Sequence, residues 1–194
     1  MKVTERTEHE VAARLGQIQE RLWVMQAQQG DPEAFRSLVN RYERQLLYYL
    51  MRFTPNPEHA ADALQEVWLT AFRGLKNLQA PEAFRVWLYR ITHDKILSLV
   101  RREARKEEVI EALRNEPAAE AFCEDHRAED AELVHRALSS LSPEHREVLT
   151  LRFLEDLSLE EISEALRCQP GTVKSRLHYA KLAVRRFLEE RSHE

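Results

Sequence analysis

The chain has 194 residues, with glycine at only 4 positions and charged side chains at 32%. That length holds one large or two small domains, and that composition favours long helices over sheets. A net charge of −4 excludes a uniformly cationic nucleic-acid binder, and no apolar run approaches the roughly 20 residues of a membrane span. The N-terminus lacks a signal-peptide core. Cys123 and Cys168, far apart in sequence, fit a reducing cytoplasm without a disulfide framework.

Residues 1–29 carry Val11, Leu15, Ile18, Leu22 and Met25 at alternating spacings of four and three. This predicts a helix with one apolar face, expected to pack on the domain that follows, with partner binding as the lesser alternative. Asp31-Pro32-Glu33 is a helix start, combining a cap, a proline in the first turn and an acid for the dipole. Phe35, Leu38, Val39, Tyr42 and Leu46 are expected to form the buried face of that helix. Thr54-Pro55-Asn56-Pro57 ends it and starts the next. There Leu64, Val67, Trp68, Ala71 and Phe72 are expected inward, with Asp62, Gln65, Glu66 and Leu69 together on another face.

Gly74 to Glu82 reads as a loop, followed by a long helix, AFRVWLYRITHDKILSLVRREARK. Phe84, Leu88, Ile91 and Leu99 suit its core face. Arg85, Arg90, Asp94, Lys95, Arg101, Arg102, Arg105 and Lys106 lie outward, with Trp87 and Tyr89 among them. Cations interleaved with aromatics suit a single nucleic-acid strand, since cations hold the backbone and flat rings stack bases. Trp87 fits a plain core position equally well.

Residues 103–132 differ in kind. They hold eleven acids against four Lys/Arg and read as a flexible acidic linker whose first part extends the preceding helix. Cys123 and His126 in it are too few ligands for a metal site. From about Asp130 a second small domain begins, with Leu133, Ala137, Leu138 and Leu141 on one helix face. Ser142 and Pro143 start the next helix, which carries Val148, Leu149, Leu151 and Phe153.

The last stretch, SLEEISEALRCQPGTVKSRLHYAKLAVRR, reads as two helices about a short turn. Ser158 and Glu161 have capping-box spacing, and Leu159, Ile162, Ala165 and Leu166 make the first helix's buried face. Pro170 opens the second. Its apolar stripe is Val173, Leu177, Ala180 and Val184. Beside that stripe run Lys174, His178, Lys181 and Arg185. From Arg167 to Arg186 there are six Lys/Arg and no acid. A helix-turn-helix that enters a DNA major groove has this build, with Thr172, Lys174, Ser175, Arg176 and His178 as candidates for base edges and Lys181 and Arg185 toward the phosphates.

The expected fold is therefore all-α, with two small helical domains joined by the acidic linker. The expected division is an N-terminal extension at 1–24, a first domain at 25–106, the linker at 107–131 and a second domain at 132–194. No catalytic constellation, phosphate-cradling glycine loop or metal cluster is visible, so neither cofactor nor metal is expected.

The order of parts resembles a bacterial RNA polymerase sigma factor of the extracytoplasmic-function group of the sigma-70 family, over about Met25 to Glu190. DPEAFRSLVNRYERQLL, DALQEVWLTAF and FRVWLYRITHDKILSLVRR resemble the family's region 2. LSSLSPEHREVLTLRFLEDLSLEEISEAL followed by GTVKSRLHYAKLAVRRFL resembles region 4. The resemblance implies a cytoplasmic, non-enzymatic initiation factor. Its Asp62, Gln65, Glu66 and Leu69 would dock on the clamp helices of the polymerase largest subunit. Arg85, Trp87, Tyr89, Arg90, His93, Asp94, Arg101 and Arg102 would open the minus-ten element and hold its non-template strand. The helix from Pro170 would read the minus-thirty-five element as duplex, and the linker would thread into polymerase channels. An anti-sigma partner is implied, and membrane insertion is not.

Four positions depart from the family pattern. His93-Asp94 stands where many relatives carry Arg-Asn, Ser98 where an Asp is common, and Arg167 where Gly is frequent. Two other readings compete: a duplex-binding helix-turn-helix regulator of the response-regulator type, and an enzyme acting on nucleic acid. The first needs a receiver domain with alternating strands and helices, which the helical first half lacks. The second needs a cluster of acids with metal-like spacing, which does not appear.

Overall fold

The computed structural model describes residues 2–111, 134 and 136–191. The acidic segment falls mostly outside that range, and Cys123, His126 and Leu133 fall wholly outside it.

Four helices build the first domain: α1 (Lys2–Gln28), α2 (Pro32–Met51), α3 (Pro57–Gly74) and α4 (Phe84–Glu111). Two short 3-10 turns, Leu75–Asn77 and Pro81–Ala83, bridge α3 and α4. The starts follow from the sequence. Asp31 accepts from the Glu33 and Ala34 amides ahead of Pro32, and Asn56 accepts from the Glu58 amide ahead of Pro57. Each satisfies an amide that the first turn leaves orphaned. Between α1 and α2, Gly30 takes φ 98°. The Asp31 amide then reaches the Gln26 carbonyl at 3.1 Å, the chain reversal that a left-handed glycine permits. Leu38, Tyr42, Leu46, Tyr49, Leu50, Val67, Ala71, Phe84 and Leu88 fill the core.

Two expectations about facing are overturned. The apolar stripe of α1 does not pack inward: Val11, Leu15, Ile18, Leu22 and Met25 are all exposed. The packing face holds Glu20, Trp23, Val24 and Ala27 instead. A buried acid sets that rotation, because Tyr42 donates to the Glu20 carboxylate at 2.5 Å and the Arg41 guanidinium lies 3.0 Å from it. Phe72 is likewise exposed rather than inward, and its ring meets the half-buried Phe35 edge-on at 5.2 Å.

The second domain begins with a short helical segment at 136–139, followed by α5 (Pro143–Leu149), α6 (Leu159–Ala165) and α7 (Pro170–Arg191). After α5 the chain makes one π turn, Thr150–Leu154, closed by the Glu155 amide on the Thr150 carbonyl at 3.1 Å. The Ser158–Glu161 capping box is formed in both directions, at 3.1 and 2.7 Å. Between α6 and α7, Arg167 has φ 50°, so a residue with a Cβ sits in left-handed backbone at a cost of about 1 kcal/mol. Ser158→Ala removes one arm of the capping box; a loss of about 1 kcal/mol of stability is expected, read as a lower midpoint in urea with unchanged slope.

Candidate nucleic-acid and polymerase interfaces

The cationic stripe of α7 is displayed as its periodicity predicts. Val173, Leu177 and Ala180 are buried against α5 and α6, so Lys174, His178, Lys181 and Arg185, one residue on, face solvent. Their states differ. Lys174 makes no ion pair among the described residues. Lys181 sits over the exposed Phe153 ring, 5.1 Å from its centre, and Arg185 pairs with Glu189 one turn later at 2.7 Å. Arg176 is half-buried and pairs with the exposed Glu144 at 2.8 Å. Thr172 and Ser175 line the start of the helix, with the Ser175 hydroxyl donating to the Thr172 carbonyl at 3.0 Å.

On α4 the residues assigned to the single strand divide into two sets. Arg90 is half-buried, and Arg101 and Arg102 are exposed. Trp87 is half-buried, tilted against Phe84 at 6.0 Å, its ring edge 3.0 Å from where a Cβ on Gly74 would lie. Gly74 is therefore needed for close packing here. The remaining four are engaged by the second domain. Arg85 donates to the Glu155 carbonyl. Tyr89 is 1% exposed, and its hydroxyl donates to the Glu155 carboxylate. His93 Nδ1 lies 2.8 Å from Glu147 Oε1, and Asp94 lies 3.2 Å from Arg167. Tyr89 is thus a buried junction residue rather than an open stacking platform, because its ring completes a core with Tyr49, 5.8 Å away.

Sequence reasoning missed the other side of this junction. Glu147 and Glu155 are buried, and Tyr49 also donates to Glu147 Oε1 at 2.8 Å. Arg146 stacks over Phe53 at 5.8 Å and donates to four carbonyls. Three of these belong to its own domain (Leu138, Ser139 and Leu141), and the fourth is Arg52, at the end of α2. Charges on predicted helices read as solvated faces, and nothing in their spacing marks these as buried.

On α3, Asp62, Gln65, Glu66 and Leu69 are all exposed and contiguous. Glu66 also pairs with Lys95 of α4 at 2.7 Å, which explains how a lysine fits into that stripe. Beside Leu69 the exposed Phe72 extends the patch with an aromatic face. The signal for it was its place one turn beyond Leu69.

Burial pushes the Glu155 carboxyl above the ordinary carboxylate range, and the Tyr89 hydroxyl, Arg52 and Arg85 offset this only in part. Burial likewise raises the Tyr49 and Tyr89 phenols, so both stay neutral donors. A carboxyl whose pKa rises on docking binds its proton more tightly when the domains are closed. Glu155 therefore strengthens closure as pH falls toward the ordinary carboxylate range and weakens it as pH rises. Between pH 7 and 5, energy transfer between dyes on the two domains is expected to increase. Glu155→Gln, which cannot titrate, should show a smaller change than the parent chain over the same span.

Comparison with known proteins agrees with this build. The model of Sigma-70 region 2 matches residues 38–106, and that of Sigma-70 region 4 matches 131–184. The RNA polymerase sigma-H factor of Pseudomonas aeruginosa is 32% identical, covering 90% of this chain and 96% of that protein. The ECF RNA polymerase sigma-E factor of Escherichia coli K12 is 31% identical, covering 87% and 93%. Two solved structures share the fold at TM-score 0.67: CnrH in complex with the cytosolic domain of CnrY, at 24% identity over 89% of this chain and 98% of that one, and the sigma factor RpoE of Bartonella quintana in complex with the anti-sigma factor NepR, at 21% over 80% and 96%. With both regions matched in order and relatives covered almost end to end, the chain belongs to the extracytoplasmic-function group of the sigma-70 family of RNA polymerase sigma factors.

Proposed function

We propose that this chain is a cytoplasmic, non-enzymatic initiation factor whose two domains divide promoter recognition between them. The observation that carries the reading is α7: a helix pinned to its own domain by Val173, Leu177 and Ala180, with Lys174, His178 and Lys181 turned to solvent. Held in a major groove, that stripe supplies phosphate contacts to the minus-thirty-five duplex, and Thr172, Lys174 and Ser175 come nearest the bases. On the first domain, Asp62, Gln65, Glu66 and Leu69, with Phe72 beside them, are the surface for the polymerase clamp helices.

The face of α4 that takes the non-template strand is Arg90, Arg101 and Arg102 together with Arg85, Trp87, His93 and Asp94. The second domain covers part of it in this structure, so strand capture requires the domains to part. Flipped bases held there offset an unstacking cost of a few kcal/mol. Tethering both domains to polymerase raises the effective concentration of each for its element, so neither need bind tightly alone. An anti-sigma factor as regulator is supported by the complex of the Bartonella relative.

Run-off transcription with core polymerase and a promoter library tests the reading; no promoter-specific transcript from any member would overturn it. Lys174→Ala should weaken duplex binding roughly fivefold and flatten its salt dependence by about one ion, leaving polymerase binding unchanged. Asp62→Arg combined with Leu69→Ser, both at exposed positions, should do the reverse, lowering polymerase affinity by about tenfold while the second domain's duplex binding persists.

A further inference from the structure

The sigma-factor reading employs α3, α4 and α7 and leaves the outer face of α1 idle. Val11, Leu15, Ile18, Leu22 and Met25 are 55, 60, 52, 47 and 48% exposed. They form a continuous stripe of roughly 21 Å at 1.5 Å per residue, and at about 100° per residue it points away from the face that packs on α2. A contiguous apolar strip of this kind on a soluble domain marks a contact surface. Its steps of four, three, four and three residues have the 3.5-residue period of a coiled-coil seam. In that register Leu15 and Leu22 are a positions, and Val11, Ile18 and Met25 are d positions. One flank carries Arg14 and Arg21 and the other Ala12, Gln19 and Gln26, all exposed. No acid lies on either flank, since Glu20, the one acid between positions 11 and 26, is buried on the opposite face.

A second copy of the chain fits this surface poorly. In a parallel pair, leucine at a with β-branched residues at two of the three d positions favours assemblies larger than two strands, and the arginine flank would meet only glutamines. In an antiparallel pair the arginine flanks would face each other, which repels. We propose that the stripe docks a single amphipathic helix of another protein, with an aliphatic seam of its own and Glu or Asp along the edge that meets Arg14 and Arg21. Because the reverse face of α1 is already anchored by Val24 and the Glu20–Tyr42–Arg41 cluster, the helix is presented preformed. A partner bears only its own ordering cost.

The test uses two synthetic three-heptad peptides with leucine at a and d, one with Glu and the other with Lys at e and g, titrated against the full-length chain by fluorescence anisotropy. The Glu peptide is expected to bind about tenfold tighter than the Lys peptide, as two ion pairs gained against two repulsions imply. Arg14→Glu with Arg21→Glu should invert that order. Leu15→Asp with Leu22→Asp should abolish binding of both at unchanged helical circular dichroism. Equal affinity for the two peptides, or none for either, would overturn the proposal. So would a stripe-dependent dimer in sedimentation, or stripe-dependent adsorption to phosphatidylglycerol vesicles in place of the Glu peptide.

Discussion

Two carboxylates taken out of water hold the two domains of this chain together. Glu147 accepts from Tyr49 and lies against His93, and Glu155 accepts from Tyr89 while its carbonyl receives Arg85. Desolvating a carboxylate costs several kcal/mol, and the bonds formed in return roughly offset it. Such a junction therefore contributes little net stability. What it supplies is geometry, because a shift of an ångström would leave a buried charge without its partner. Apolar contacts between domains tolerate sliding; this one does not. A junction with small net stability and strict geometry can also come apart as a unit, returning its charges to water.

The departures from the family pattern converge on that junction. Read one at a time, Asp94 is a misplaced negative charge on a DNA-facing helix, and Arg167 is a strained residue at a glycine position. In the structure they face each other at 3.2 Å, one from each domain. His93, the neighbouring departure, lies against Glu147. An exposed ion pair contributes at most about 1 kcal/mol, close to the cost of the left-handed backbone at Arg167, so the pairing only offsets its own strain. The gain is in recognition between domains, which a glycine at that turn would not supply. Ser98 is different: its hydroxyl bonds the Asp94 carbonyl one turn back at 3.1 Å and, among the described residues, reaches nothing across the junction.

Local chemistry made most of the fold legible in the sequence. Caps at Asp31, Asn56, Ser142 and Ser158, each followed by proline or paired with a glutamate, state where helices begin, and those groups act within a few residues of themselves. The buried stripes of α2, α6 and α7 were legible for the same reason. Rotations decided by distant partners were not. The stripe of α1 has a cleaner period than its true packing face, yet Glu20 wins because Tyr42 and Arg41 await it on α2. Tyr89 reads as an aromatic among cations, yet it is a core residue because Glu155, far along the chain, comes to meet it. An acid on a helix announces solvent unless the phenol opposite is known.

The junction also bears on the interface proposed for α4. Arg85, His93 and Asp94, on the face proposed above for the non-template strand, are engaged by the second domain here, so this junction and the proposed strand contact exclude each other. A ligand shifts such an equilibrium only by the difference in its affinity for the two arrangements. Duplex DNA on α7 touches a surface open in both arrangements and so has little leverage. On the proposed assignment a single strand needs the covered face of α4 and so binds the parted form alone. With that assignment one helix serves two mutually exclusive contacts, and strand capture is coupled to the parting of the domains.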